Sequence, residues 1–170
     1  MKDLIIHDYN VYNSRDELIG DGEKVTLPDL TPASTELSGS GILGSVKIPV
    51  PGMFESIVLD IPFRMLSEKV TELFVARRYA AVKIRGGILR LNESTGEMNE
   101  KGIVVTAKGM GSKLSLGEVE QGKKMGPGIS IEAVYYKVEI DGKILFELDK
   151  FNNVYKVNGV DIMENLRKLC

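Results

Sequence analysis

GISIEAVYYKVEIDGKILFELDKFNNVYKVNGVDIMENLRKLC, residues 128–170, holds two runs rich in β-branched and aromatic residues, 129–140 and 143–151, on either side of Asp141-Gly142. That pair supplies the positive φ angles a tight type I′ turn requires, so the stretch reads as a long hairpin. Asn158-Gly159 offers a second turn, and Asp161 with Glu164 three residues on reads as a capping box opening a last short helix. With a two-residue turn and regular strands, Glu132, Val134, Tyr136, Val138 and Ile140 share a face with Lys143, Leu145, Glu147 and Asp149. The other face then carries Ile131, Ala133, Tyr135, Lys137 and Glu139 with Ile144, Phe146, Leu148 and Lys150. Both faces are part apolar, whereas an outer hairpin of a monomer normally leaves one face polar. The hairpin is therefore expected to need a second packing surface, and its long edges to be completed by neighbours.

Toward the N-terminus the pattern stays β. The run 4–12, LIIHDYNVY, is strand-like, and 18–19 and 25–27 are short strand candidates punctuated by Gly20, Gly22 and Pro28. In 56–63, Ile57, Leu59, Ile61 and Phe63 alternate onto one face of a half-buried strand. Ser67 suits the cap of a helix over 67–78, with Val70, Leu73, Phe74 and Arg77 along one side. Residues 79–91 return to β with Gly86-Gly87 marking a bulge or bend, 92–102 read as a polar loop, and 103–108 as a strand. Two segments stand apart. The text SGSGILGSVKIPVPGM, 38–53, is too broken by Gly and Pro for a core strand and too apolar for a solvated linker, so a protruding arm over about 38–54 is expected. The Gly-rich segment 109–128 is expected to be a mobile loop. The order of elements gives a mainly β fold with flanking α: two packed antiparallel sheets forming a sandwich or open barrel, one helix beside it and a short C-terminal helix.

Length and charge narrow the function. At 170 residues the chain is expected to form a single domain, 1–170, with its own core. Its 22 basic and 24 acidic residues, net −2, do not suggest bulk capture of nucleic acid or anionic membrane. Cys170 is the sole cysteine, so no intrachain disulfide is expected and a Cys-based zinc cage lacks its ligands. No signal-peptide pattern opens the chain and no apolar run suits a membrane span, which fits synthesis in a reducing cytoplasm.

Apparent catalytic or nucleotide motifs lack their context. Gly39 to Gly44 matches G-x-G-x-x-G, but Pro49 and Pro51 follow where a helix is needed. Residues 117–124, GEVEQGKK, end in Lys124 where a phosphate loop carries Ser or Thr. His7 is the only histidine, and Ser40 and Ser45 lack a nucleophile elbow. No catalytic, metal or cofactor residues emerge. Paired acids on the hairpin, including Glu132, Glu139, Glu147 and Asp149, allow a hydrolase only if a cleft holds them. Tyr135, Tyr136 and Phe146 allow base stacking, which keeps a β-barrel binding module for oligonucleotide or oligosaccharide as the alternative.

VTLPDL at 25–30, SGSGILGS at 38–45 and above all YYKVEIDGKILFELDKFNNVYKVNGVDIMENLRK at 135–168, with KVNGVD as its most specific piece, resemble the major tail tube proteins of contractile-tailed phages, a family shared with contractile bacteriocin particles. The resemblance implies a structural, non-enzymatic subunit without cofactor: hexameric rings stack into a hollow tube, a tail sheath lies outside, and tape-measure protein or DNA lies in the lumen. A baseplate initiator and a tail terminator would meet the two ends, in a virion tail or tail-like particle assembled in the bacterial host. On that reading Ile42, Leu43, Met53, Phe54, Tyr135 and Phe146 are the expected subunit or ring interface. Glu132, Lys137, Glu139, Glu147 and Asp149 are the expected lumen-facing charge.

Overall fold

The computed structural model describes residues 2–20, 23–75 and 77–170. In chain order they form β1 (Lys2–Asn13), β2 (Leu18–Gly20), β3 (Pro32–Ser38), β4 (Ser45–Phe54), β5 (Val58–Pro62), α1 (Glu68–Glu72), β6 (Ala80–Leu91), β7 (Met98–Ser115), β8 (Gly128–Ile140), β9 (Lys143–Asp149), β10 (Val154–Val157), β11 (Val160–Asp161) and α2 (Glu164–Leu169). The fold is mainly β, with antiparallel sheets and two short helices, as the sequence pattern implies. One sheet has nine strands, ordered β11-β10-β9-β8-β7-β6-β1-β2 with β5 branching onto β8; the other is the β3–β4 hairpin.

The branch at β8 shapes the core. β5 pairs with Gly128–Glu132, while β9 takes the same edge of β8 from Tyr135 to Ile140. Thr26 bridges Asp60 on the other side of β5. At the far end of the sheet, the Lys69 Nζ and Ser67 Oγ donate to the Leu18 and Ile19 carbonyls, which ties α1 to β2. The sheet thus curls into an open barrel, and a single core joins β1, β2, β5, α1 and β6 through β9. The alternation read in 56–63 is its centre: Ile57, Leu59, Ile61 and Phe63 are all buried.

Bulges account for the main departures from the expected register. Asp141 and Gly142 both take positive φ, 50° and 73°, so the turn is the one foreseen. Glu139 pairs with Ile144, however, and Val138 with Phe146, leaving Leu145 as an extra residue in β9. One extra residue turns everything beyond it to the opposite face. Phe146 and Leu148 therefore join Tyr136 and Val138 over the core, and Glu147 and Asp149 join Lys137 and Tyr135 outside. The expectation of two half-apolar faces is corrected to one apolar and one polar face. The outer edge of β9 is paired by β10, from Val154–Asp149 to Val157–Phe146, so that edge is not open. A second irregularity skips Val134, since Lys108 pairs with Tyr135 but Gly109 with Ala133. In β1 two residues are skipped, Leu4 and His7, the latter between the Ile6–Ile88 and Asp8–Gly87 pairs, so the bend expected at Gly86-Gly87 is a bulge of the partner strand.

Five further expectations change. The helix expected over 67–78 has its Ser67 cap, whose hydroxyl accepts from the Val70 N–H, but ends at Leu73. Leu73 and Phe74 lie against Gly111 of β7, and Arg77 takes φ 67°; Ala76, within the expected range, lies outside the described residues, as does Gly22 of the earlier punctuation. The arm is a two-stranded hairpin that also recruits 32–37, in regular register from Ser34–Pro49 to Ser38–Ser45 and irregular below, where the next pair is Pro32–Phe54; with only two strands, β4 leaves one edge open where Pro49 and Pro51 are tolerated. The glycine-rich segment is strand in its first third, 109–115, and loop only from 116 to 127: β7 runs to Ser115 because Gly109 admits a close backbone crossing, where a Cβ would lie 1.8 Å from the Glu132 carbonyl oxygen. The polar loop shrinks likewise, β7 starting at Met98. Finally, Asp161 caps the turn before α2 by accepting from the Met163 N–H, and the helix itself has no side-chain cap.

Candidate functional site

The outer face of the large sheet carries a ladder of polar side chains. Cross-strand pairing runs Tyr12, Lys83, Thr106, Lys137, Glu147, Lys156 and Asp161, one residue from each of seven strands. Arg85 and Glu139 extend it on one side, with Lys108, Tyr135 and Asp149 on the other. The matching rows on the opposite face are apolar: Val11, Ile84, Val105, Val138, Phe146 and Val157 in register, then Val82, Ala107, Tyr136, Leu148 and Tyr155. Strict alternation in β6, β7 and the second half of β8 produces this division.

The ladder's charges are mostly matched within the chain. Lys137 Nζ lies 3.0 Å from Glu139, and Lys156 Nζ 3.4 Å from Glu147. Lys83 and Arg85 share the Asp16 carboxylate at 2.9 and 2.7 Å, and the Arg85 guanidinium covers the Tyr12 ring at 4.9 Å. Hydrogen bonding from Lys83, reinforced by the charge of Arg85, holds the Asp16 carboxyl below its usual range. The Tyr135 hydroxyl donates to Glu147 at 2.9 Å while Lys108 Nζ sits 5.0 Å above its ring. Burial, then the carboxylates of Glu147, Glu139 and Asp149, push the Tyr135 phenol well up. Such pairing leaves an outward face with polar texture and few unmatched cations.

A second feature is the β3–β4 hairpin. Every residue from 34 to 49 is exposed, and Leu43 at its tip is fully so. Its root is fixed: the Phe54 ring meets Tyr155 edge-on at 5.1 Å and Phe146 at 6.1 Å, and Gly52 lies under the side chain of Met163, the residue before α2. Beyond the root, β3 and β4 pair with each other alone.

The structure sorts the residues singled out from sequence. Lys137, Glu139, Glu147 and Asp149 come together on the ladder, and Tyr135, expected at an interface, joins them. Glu132 does not: beyond the Val134 irregularity it accepts from the Ser56 hydroxyl at 2.5 Å and the Ile57 N–H at 3.3 Å, anchoring β5. Ile42, Leu43 and Met53 are exposed on the hairpin, whereas Phe54 and Phe146 pack on the chain's own core. Sequence reading missed Lys83, Arg85, Thr106, Lys108, Lys156 and Asp16. The i, i+2 spacing of Lys83 with Arg85 and Thr106 with Lys108 was the available signal. Among the described residues no group of His, Cys, Asp and Glu is placed to hold a metal, and no helix is long and apolar enough to cross a membrane.

A charge-matched β face and a bare apolar hairpin on a rigid root define a structural protein that works through its surfaces. The chain belongs to the phage tail tube protein FII family, whose sequence model matches residues 3–169. It is 30% identical over 160 residues to the tail tube protein of Escherichia phage P2, covering 94% of this chain and 92% of that one. It is 25% identical over 154 residues to the major tail tube protein of Serratia phage KSP20, covering 91% and 87%. The fold also matches a chain in the extended-state sheath/tube terminator of an extracellular contractile injection system, at TM-score 0.55 and 12% identity over 82% of this chain and 98% of that one. The family is structural and non-enzymatic, and its members are components of a virion or tail-like particle.

Proposed function

We propose that six copies of this chain, each a single tube-forming domain, close into a ring, that rings stack into the inner tube of a contractile tail, and that the ladder from Lys83 to Lys156 lines the bore. Tape-measure protein and then DNA occupy the lumen, a tail sheath surrounds the tube, and a baseplate initiator and a tail terminator cap its ends. The subunit is made in the bacterial host cytoplasm before assembly. Ile42, Leu43 and Met53 of the hairpin contact a neighbouring copy through a heterologous interface, the kind that generates rings and stacks.

The observation that carries this reading is the charge matching of the ladder. Duplex DNA adheres to proteins by releasing counterions to free lysines and arginines. Here Lys83, Arg85, Lys137 and Lys156 each have a carboxylate partner, and Lys108 faces an aromatic ring. A passing phosphate backbone meets a polar, wettable wall with little to grip. Electron microscopy of the concentrated protein tests the proposal: stacked six-fold rings with the side chain of Lys137 inside the channel are expected. Tubes with Lys137 on the outer wall would overturn the lumen assignment, and a protein that stays monomeric at every concentration, with or without an initiator complex, would overturn the tube.

A further inference from the structure

We propose that the apolar mouth of the open barrel receives the hairpin tip of a second copy, with Leu43 as the inserted side chain. The mouth is a cavity of about 230 Å³ lined chiefly by Ile6, Tyr9, Val25, Leu27, Ile84 and Ile103. It opens where β1, β6 and β7 extend past the segment around Val25 that closes the core. No group among the described residues fills it. An apolar space on the order of 150 Å³ holds a guest of benzene size, so this open mouth of about 230 Å³ has room for a leucine with part of its neighbour.

Three observations point to the tip as that guest. Leu43 has no contact that shields it within its own chain, and Ile42 beside it is exposed. The tip is uncharged, since Ser38 to Val46 contains no acid or base, whereas two other exposed apolar stretches are charged: α2 sets Leu166 and Leu169 among Glu164, Arg167 and Lys168, and the loop with Leu116 and Val119 carries Glu118 and Glu120. An uncharged guest suits a lining whose single charge is Lys24. The third observation is polar. Among the described residues the Tyr9 hydroxyl, buried at the mouth, has no hydrogen-bond partner, the Val25 backbone beside it falling short of bonding geometry. Buried hydroxyls are nearly always satisfied, and the turn 39–44 would bring backbone carbonyls to it along with Leu43. Burial already raises the Tyr9 phenol, so it arrives as a neutral donor. The hairpin has the reach, because the ten residues of β4 at about 3.3 Å each extend roughly 30 Å.

This inference rests on the tube reading, and disulfide trapping separates the two. In a Cys170→Ser background, Leu43→Cys and Leu27→Cys are combined, and the full chain is assembled and treated with a mild oxidant. Both positions are exposed in the free subunit, so folding is checked by an unchanged melting temperature. The expected result is a ladder of covalent multimers on a non-reducing gel, from assembled material only, absent from either single-cysteine protein. Tubes that form normally but yield no ladder overturn the mouth as receiver and leave the tube standing. Failure of the parent protein to form rings or tubes removes both.

Discussion

Deleting Leu145 tests the bulge that separates the two faces. Without it β9 has two outcomes: keep the Asp141-Gly142 turn and rotate, or keep the core contacts and break the turn. In the first, Phe146 and Leu148, the latter 2% exposed, leave the core. Each large side chain withdrawn costs about 1.5 to 3 kcal/mol, so the pair costs about 3 to 6 kcal/mol. Glu147 would meanwhile turn inward without Lys156 or Tyr135, which adds to the loss. Against a total stability of about 5 to 15 kcal/mol this is a large share. For a chain of this length, about 2 to 4 °C accompanies each kcal/mol, giving a fall of roughly 6 to 24 °C. Thermal melting followed by circular dichroism measures it, with the near-ultraviolet signal reporting the Phe54, Phe146 and Tyr155 cluster. Leu145→Ala, which keeps the residue count, is the control and should shift stability on the order of 1 kcal/mol. A deletion variant that melts within about 3 °C of that control would refute the assignment of the bulge as the device that sets the faces.

Other outcomes follow from the same contacts. Gly109→Ala places a Cβ 1.8 Å from the Glu132 carbonyl oxygen and should cost about 3 kcal/mol or more in chemical denaturation, while Gly102→Ala, with open space around it, should stay within about 0.5 kcal/mol. Equal effects would contradict the close crossing. Hydrogen bonding from Arg167 holds Asp161 below the usual carboxylate range, so its folded value lies under its unfolded one. That contribution is complete above about pH 3.9 and disappears as pH falls through the lowered folded value. Denaturation midpoints between pH 6 and 2 should therefore drop less steeply in Asp161→Asn, and parallel profiles would negate the ion pair's role. Replacing Ile42 and Leu43 together with Asp should leave a monomer melting as the parent does but unable to stack; normal tubes in the microscope would remove the hairpin from the interface.

Most of the fold was legible because its core strands obey simple periods. Ile57 to Phe63 alternates without interruption, and Asp141-Gly142 leaves few turn types open. What escaped was set at a distance. The extra residue at Leu145 has no local signature, since a leucine fits a regular strand as well as a bulge, and only the packing of Phe146 against Phe54 and Tyr155 selects the second. Gly109 reads as loop because glycine in a strand is unfavourable; the reason for it stands on β8, more than twenty residues away. The helix fell short because a few turns of helix depend on tertiary packing rather than on propensity, and residues after Leu73 pack on Gly111 instead. The ladder was half visible for a related reason. Its acids lie on the hairpin that drew attention, whereas Lys83 and Arg85 lie on β6, brought alongside only by pairing.

The pairing of β1 with β6 also bears on how the chain comes to be folded. Lys2 to Asn13 must wait for residues 82–91 before its main chain is satisfied, and β5 must wait for 128–132. Contacts of such long separation close slowly, because loop entropy is lost before they reward it. On a ribosome adding residues one by one, the hairpin with its uncharged, Leu43-bearing tip emerges long before the strands that complete the barrel. Nascent chains therefore present an adhesive end while no finished receiving surface exists, and premature clumping of partly made subunits is the hazard. Cooler, slower expression or a bound chaperone should raise the yield of assembly-competent protein more for this chain than for an all-helical one of the same length.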